Sequence, residues 1–100
     1  MDVRLDGRTA LITGASEGLG LAMARKFAES GANVAMVSRS ADNLEAGRQE
    51  IMSAVGGNKV KVEAFPCDVT DTGQIARMWQ SVTDSFGAVD ILVNNAGQHA

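Results

Sequence analysis

Thr13-Gly14-Ala15-Ser16-Glu17-Gly18-Leu19-Gly20 reads TGASEGLG and closes the apolar run Thr9-Ala10-Leu11-Ile12-Thr13. An apolar run, a glycine-rich stretch and then an amphipathic segment describe a strand, a tight turn and the start of a helix. A helix N-terminus presents unpaired N–H groups and partial positive charge, which suit a phosphate. A pyrophosphate can lie against that end only where the turn has no bulky Cβ atoms. In this reading Gly14 allows the tight turn and Gly18 the close approach of a ligand. Gly20 allows the helix to pack closely on the sheet. Leu19 turns its side chain into the core and offers its backbone N–H to the ligand.

The pattern continues along the chain. Leu19, Met23 and Phe27 fall four apart on one face of a first helix over about 18–30, and Arg25 and Glu29 pair on another. Gly31 can stop that helix. Asn33-Val34-Ala35-Met36-Val37 reads as strand two. Ser40 caps a second helix carrying Leu44, Ile51 and Val55, and Gly56-Gly57-Asn58 breaks it. Lys59 to Phe65 alternates polar and apolar residues, as an outer strand with one wetter face does, and Pro66 closes it. Thr70 is the expected cap of a third helix, with Asp71 in its first turn and Ile75, Met78, Trp79, Val82 and Phe86 as its buried stripe. Gly87 ends it. In Asp90-Ile91-Leu92-Val93-Asn94, three apolar residues in succession predict a strand covered on both faces. Strands alternating with helices give the α/β class: a parallel sheet with right-handed crossovers and spatial order 3-2-1-4.

Composition limits the alternatives. The chain has 100 residues, so residues 1–100 read as one domain. A net charge of −3 with no Lys/Arg cluster excludes a nucleic-acid footprint. No apolar run approaches the ~18 residues of a membrane span, and the N-terminal residues lack the apolar core of a signal peptide. Cys67 is the single cysteine, which fits a reducing compartment; the expected address is the cytoplasm. Cys67 reads as a small buried thiol and His99 as a surface residue. No set of residues suggests a metal site or paired carboxylate chemistry.

The glycine spacing is Gly-x-x-x-Gly-x-Gly after Thr13. Cys67-Asp68-Val69-Thr70 follows the third strand, Asn94-Asn95-Ala96-Gly97 follows the fourth, and Leu5-Asp6-Gly7-Arg8 leads into the first. On these motifs, in this order, the sequence resembles the N-terminal portion of the short-chain dehydrogenase/reductase family. The resemblance implies a Rossmann-type doubly wound sheet, of which residues 1–100 hold the first four strands and three helices and not the C-terminal half. It also implies hydride transfer between a nicotinamide and the carbonyl or secondary-alcohol carbon of a small molecule. Asp68 would then accept from the adenine amino group, or merely cap the following helix, and the Val69 N–H would complete the base edge. Asn95, Ala96 and Gly97 would line the adenine ribose, while Asn94 ties down sheet backbone.

An acidic residue normally ends the second strand of an NAD site. Here Ser38 stands there, with Arg39 after it. A neutral residue removes repulsion and a guanidinium pairs with a 2′-phosphate, so NADP(H) is favoured over NAD(H). The resemblance adds a contact from the Ser16 hydroxyl. Glu17 departs from the pattern, because this position is often basic in NADP-preferring relatives. Its carboxylate would either repel the phosphate or pair with Arg39.

The family's proton-transfer residues are a Tyr, a Lys four positions later and a Ser. The sequence has no tyrosine, so no catalytic residue is assigned and these 100 residues are expected to be inactive alone. A non-catalytic nucleotide-binding module and an inert truncation product remain the alternative readings. The full-length protein is expected to form a homo-oligomer. An open apolar edge at strand four predicts marginal stability or self-association.

Overall fold

The four strands pair in parallel in the order β3-β2-β1-β4, as the alternation of strands and helices predicts. The computed structural model describes residues 4–56 and 60–95. The strands are β1 (Thr9–Thr13), β2 (Asn33–Ser38), β3 (Val62–Pro66) and β4 (Ile91–Val93). The helices are α1 (Gly18–Glu29), α2 (Ala41–Val55) and α3 (Thr72–Phe86). The register runs Thr13 beside Val37, Ser38 beside Pro66 and Ile12 beside Val93. Parallel pairing therefore carries the C-terminal ends of all four strands to one edge of the sheet.

Alternation along the strands divides the core into two layers. Ile12, Val34 and Met36 face α1 and α2, where Ala24, Ala28, Leu44, Ile51 and Val55 meet them. Leu11, Ala35 and Val37 face α3, where Met78 and Val82 meet them together with Cys67. With both faces covered, every residue of β1 is buried, as a central parallel strand requires.

Several expectations shift. The face of α1 that enters the core is Gly20, Ala24 and Ala28, and Met23 and Phe27 are only partly buried beside it. Leu19 is 67% exposed, so its side chain does not point inward. The cause is rotation of about 100° per residue: once Gly20 lies against the sheet, the preceding side chain must face out.

The cap of α3 is Asp71 rather than Thr70. Its carboxylate accepts from the Gln74 N–H at 3.1 Å, and Thr70 turns back to Asp68 instead. β3 starts at Val62, and Lys59 lies outside the described residues. β3 is half wet, as expected of an outer strand. β4 is the edge strand of the four and is only half covered, as the open apolar edge expected at strand four implies: Leu92 pairs with Leu11 and is 57% exposed. Ser40 caps α2 through the Asn43 N–H as expected. Among the described residues no helix is long and apolar enough to cross a membrane.

Candidate functional site

Four segments meet at the C-terminal edge of the sheet: the glycine loop after β1, Ser38 and Arg39 after β2, the turn after β3, and Asn94 and Asn95 after β4. This is the edge where open α/β sheets bind ligands.

The glycine loop owes its shape to two left-handed residues. Gly14 has φ 65° and Gly18 has φ 59°, values that side chains resist. Gly20 is required for a different reason. A Cβ there would collide with the Gly14 carbonyl and lie 2.9 Å from the Asn95 amide nitrogen. A Cβ on Gly18 would meet nothing within 4 Å, so the backbone at the start of α1 faces open space. No side chain caps that helix; Glu17 occupies the cap position in an extended conformation and makes no capping bond.

The loop is tied on both sides. Toward β2, the Ala15 N–H donates to the Val37 carbonyl at 3.2 Å, and the Ser16 and Ser38 hydroxyls meet at 3.0 Å. Toward β4, the Asn95 carboxamide donates to the Gly14 carbonyl at 3.4 Å. The buried Thr13 hydroxyl accepts from the Asn95 N–H at 2.8 Å and lies 3.1 Å from Asn94 Oδ1. Both asparagines thus fasten strand end to loop. The expectation assigned that task to Asn94 alone. The Thr13 hydroxyl as the shared anchor was missed; its signal was a hydroxyl closing an otherwise apolar strand.

The turn after β3 is pinned to β2 by the Cys67 N–H, which donates to the Ser38 carbonyl at 2.8 Å. Cys67 is buried, and burial pushes its thiol pKa up, with the Asp68 and Asp71 charges adding to the effect. It is a packing residue rather than a nucleophile. Asp68 Oδ1 accepts from the Thr70 hydroxyl at 2.7 Å and from the Thr70 N–H at 2.9 Å. Those two bonds, helped by the Arg39 charge, hold the Asp68 carboxyl below the ordinary carboxylate range. The Asp68 N–H donates to Gln74 Oε1 at 2.9 Å, which fixes the turn on α3. Asp68 therefore shapes the turn but does not cap α3; Asp71 does. Val69 is half-buried beside it.

Gly14, Ser16, Gly18, Leu19, Gly20, Ser38, Arg39, Asp68, Val69 and Asn95 all lie on this edge. Ala96 and Gly97 fall outside the described residues. Arg39 is exposed, and among the described residues no ion pair joins it to Glu17. No group of three His, Cys, Asp or Glu among the described residues could hold a metal ion.

Residues 8–100 match the family model described as short chain dehydrogenase. An uncharacterized oxidoreductase of Mycobacterium bovis is 45% identical over 92 residues, which are 92% of this chain and 27% of that protein. A D-threitol dehydrogenase of Mycolicibacterium smegmatis is 41% identical over 96 residues, 96% of this chain and 35% of that one. Among solved structures, the L-sorbose reductase of Gluconobacter frateurii, complexed with NADPH and L-sorbose, superposes with a TM-score of 0.90 at 38% identity. That match covers 100% of this chain and 37% of the reductase. The chain thus spans about a third of the length of these proteins.

Proposed function

The chain belongs to the short-chain dehydrogenase family, and from that premise we propose that it forms the cofactor-binding part of an NADP(H)-dependent oxidoreductase acting on a small carbonyl compound or secondary alcohol. The observation that carries the reading is the cradle at Gly18. There the backbone has left-handed φ, faces open space and begins a helix that no side chain caps. The fit to a dinucleotide diphosphate follows from that geometry.

In this reading the backbone of Gly14, Gly18 and Leu19 receives the diphosphate, and Gly20 lets α1 come close enough to present it. Leu19 contributes its N–H alone, since its side chain turns outward. Ser16, Ser38 and Arg39 hold the ribose 2′-phosphate. The touching serine hydroxyls and the adjacent exposed guanidinium support that assignment, and the NADPH bound to the L-sorbose reductase supports NADP(H) as the cofactor. Asp68, kept ionised by its Thr70 bonds, accepts from the adenine amino group, with the Val69 N–H alongside. Asn95, Ala96 and Gly97 line the adenine ribose. When bound, the nicotinamide supplies or accepts a hydride at the substrate carbon.

The sequence contains no tyrosine, and the residues above bind and orient rather than move protons. These 100 residues therefore bind cofactor without turnover, and the whole protein completes the reaction. The single cysteine of these 100 residues fits the cytoplasm, and the family fits a homo-oligomer. Fluorescence titration with NADPH and NADH tests the reading. NADPH should bind more tightly than NADH, and Gly18→Val should abolish both. Equal affinity in wild type and Gly18→Val would reject it.

A further inference from the structure

Asp71-Thr72-Gly73-Gln74 follows the pattern of a capping box, with Asp as the cap. In such a box the third helical residue reaches back to the N–H of the cap. Half of the box is present: the Asp71 carboxylate accepts from the Gln74 N–H at 3.1 Å. The other half is redirected. The Asp71 N–H donates to the Asp68 carbonyl at 3.0 Å, so it is already taken. The Gln74 side chain reaches three residues further back, and its Oε1 accepts from the Asp68 N–H at 2.9 Å. Its Nε2 donates to Asp71 Oδ2 at 3.4 Å, which sets the amide the same way round. A helix-capping side chain thus serves the turn after β3, and departures from local rules of this kind gather at functional sites.

The turn leaves two polar groups open. Asp68 Oδ1 takes both Thr70 bonds. Among the described residues no donor meets Asp68 Oδ2 and no acceptor meets the Val69 N–H. An acceptor followed in the chain by a donor complements the adenine edge, where an amino donor stands beside the N1 acceptor. The Thr70 bonds orient the carboxylate within the turn, whereas the Gln74 bond fixes where the turn sits against α3. We propose that Gln74 is a positioning residue that holds Asp68 and Val69 in register with adenine and so sets the preference for that base. The proposal rests on the cofactor reading above and deepens it. Removing the Gln74 acceptor releases the Asp68 N–H and lets the turn shift, and hydrogen bonds weaken steeply once misaligned.

The test titrates the chain with NADPH and with its hypoxanthine analogue, in which a carbonyl replaces the adenine amino group and N1 carries a hydrogen. That edge opposes both protein groups, so wild type should bind the analogue at least about tenfold more weakly, the scale of a hydrogen bond to a charged group. Gln74→Met keeps the side-chain length and helix propensity but offers only a weak acceptor. It should weaken NADPH by about five- to tenfold and move the analogue by less than about twofold. Gln74→Glu retains an acceptor for the Asp68 N–H and should keep most of the preference. Gln80→Met removes a glutamine that donates to Asp84 on the same helix, and should leave the ratio unchanged. A purely structural role would weaken both dinucleotides alike. Amide hydrogen exchange followed by NMR should show the Asp68 N–H protected in wild type and exposed in Gln74→Met. The wild-type measurement holds even where a variant fails to fold. An unprotected Asp68 amide in wild type, equal weakening of both dinucleotides by Gln74→Met, an unchanged ratio, or Gln74→Glu behaving like Gln74→Met would overturn the proposal. Wild type that bound neither dinucleotide would overturn the cofactor reading as well.

Discussion

The carboxamide of Asn95 donates to the carbonyl of Gly14, in the space that Gly20 keeps clear by having no side chain. One edge of the site is thus a three-residue contact between the glycine loop, α1 and the segment after β4. Loop shape and helix packing are coupled there, because the same carbonyl meets both Asn95 and Gly20.

That coupling separates the roles of two glycines. Gly20→Ala drives a methyl into the Gly14 carbonyl, so it should cost about 3 kcal/mol or more of folding stability. Gly18→Ala meets open space and incurs only the left-handed backbone cost of about 1 kcal/mol. Cofactor affinity should follow the opposite order once stability is accounted for: under the proposed reading, the new methyl at Gly18 obstructs the approach of the diphosphate. Urea denaturation alongside NADPH titration checks both. A Gly20→Ala protein as stable as wild type would contradict the packing argument.

The cap of α3 gives a second test. Asp71→Ala removes the acceptor for the Gln74 N–H and should destabilise by about 1 kcal/mol. Thr70→Val leaves that cap intact and should cost less. If Thr70→Val proves the more damaging in thermal denaturation, the helix begins one residue earlier than the structure places it.

Much of the molecule was legible in its sequence because local signals agreed with tertiary ones. The glycines at 14 and 31 mark positive φ, and the buried runs at 10–12 and 34–37 mark central strands. Ser40 marked a cap. The misreadings share a cause. Spacing with Met23 and Phe27 predicts an inward Leu19, yet α1 packs through Gly20, Ala24 and Ala28, since small residues let a helix backbone approach the sheet. Hydrophobic periodicity weights large side chains and overlooks such a stripe. Thr70 and Asp71 are both good caps in adjacent positions, and only the carboxylate's reach to Gln74 decides between them. At the site, the elements and their order were legible, but the Ser16–Ser38 and Asn95–Gly14 contacts join residues far apart in sequence and depend on register.

Asp68 provides a pH test. Its folded pKa is depressed first by the Thr70 hydroxyl and then by the Thr70 N–H. A depressed carboxylate adds stability above its unfolded pKa, near ~3.9, and that contribution is lost as pH falls from there through the lowered value. Carboxyl chemical shifts followed by NMR should show Asp68 titrating below the ordinary range for aspartate. Thr70→Val should move it upward toward that range. A titration in the ordinary range in wild type would mean that the Thr70 bonds do not persist in solution.

The contact between the Ser16 and Ser38 hydroxyls predicts how cofactor choice can be reversed. Ser38→Asp would set a carboxylate where the proposed reading seats the ribose, on the strand that parallel pairing with β1 and β3 fixes at this edge. Like charge should weaken NADPH by at least about tenfold. The new acceptor should hold the two ribose hydroxyls of NADH, as acidic residues at this position do. Ser16→Ala is the milder companion. It removes one hydroxyl of the pair and should weaken NADPH by about threefold, with little effect on NADH, since a single neutral hydrogen bond contributes about 1 kcal/mol or less. Isothermal titration of both dinucleotides against both variants measures the reversal. If Ser38→Asp weakened NADH and NADPH alike, the end of β2 would not be where the chain distinguishes them.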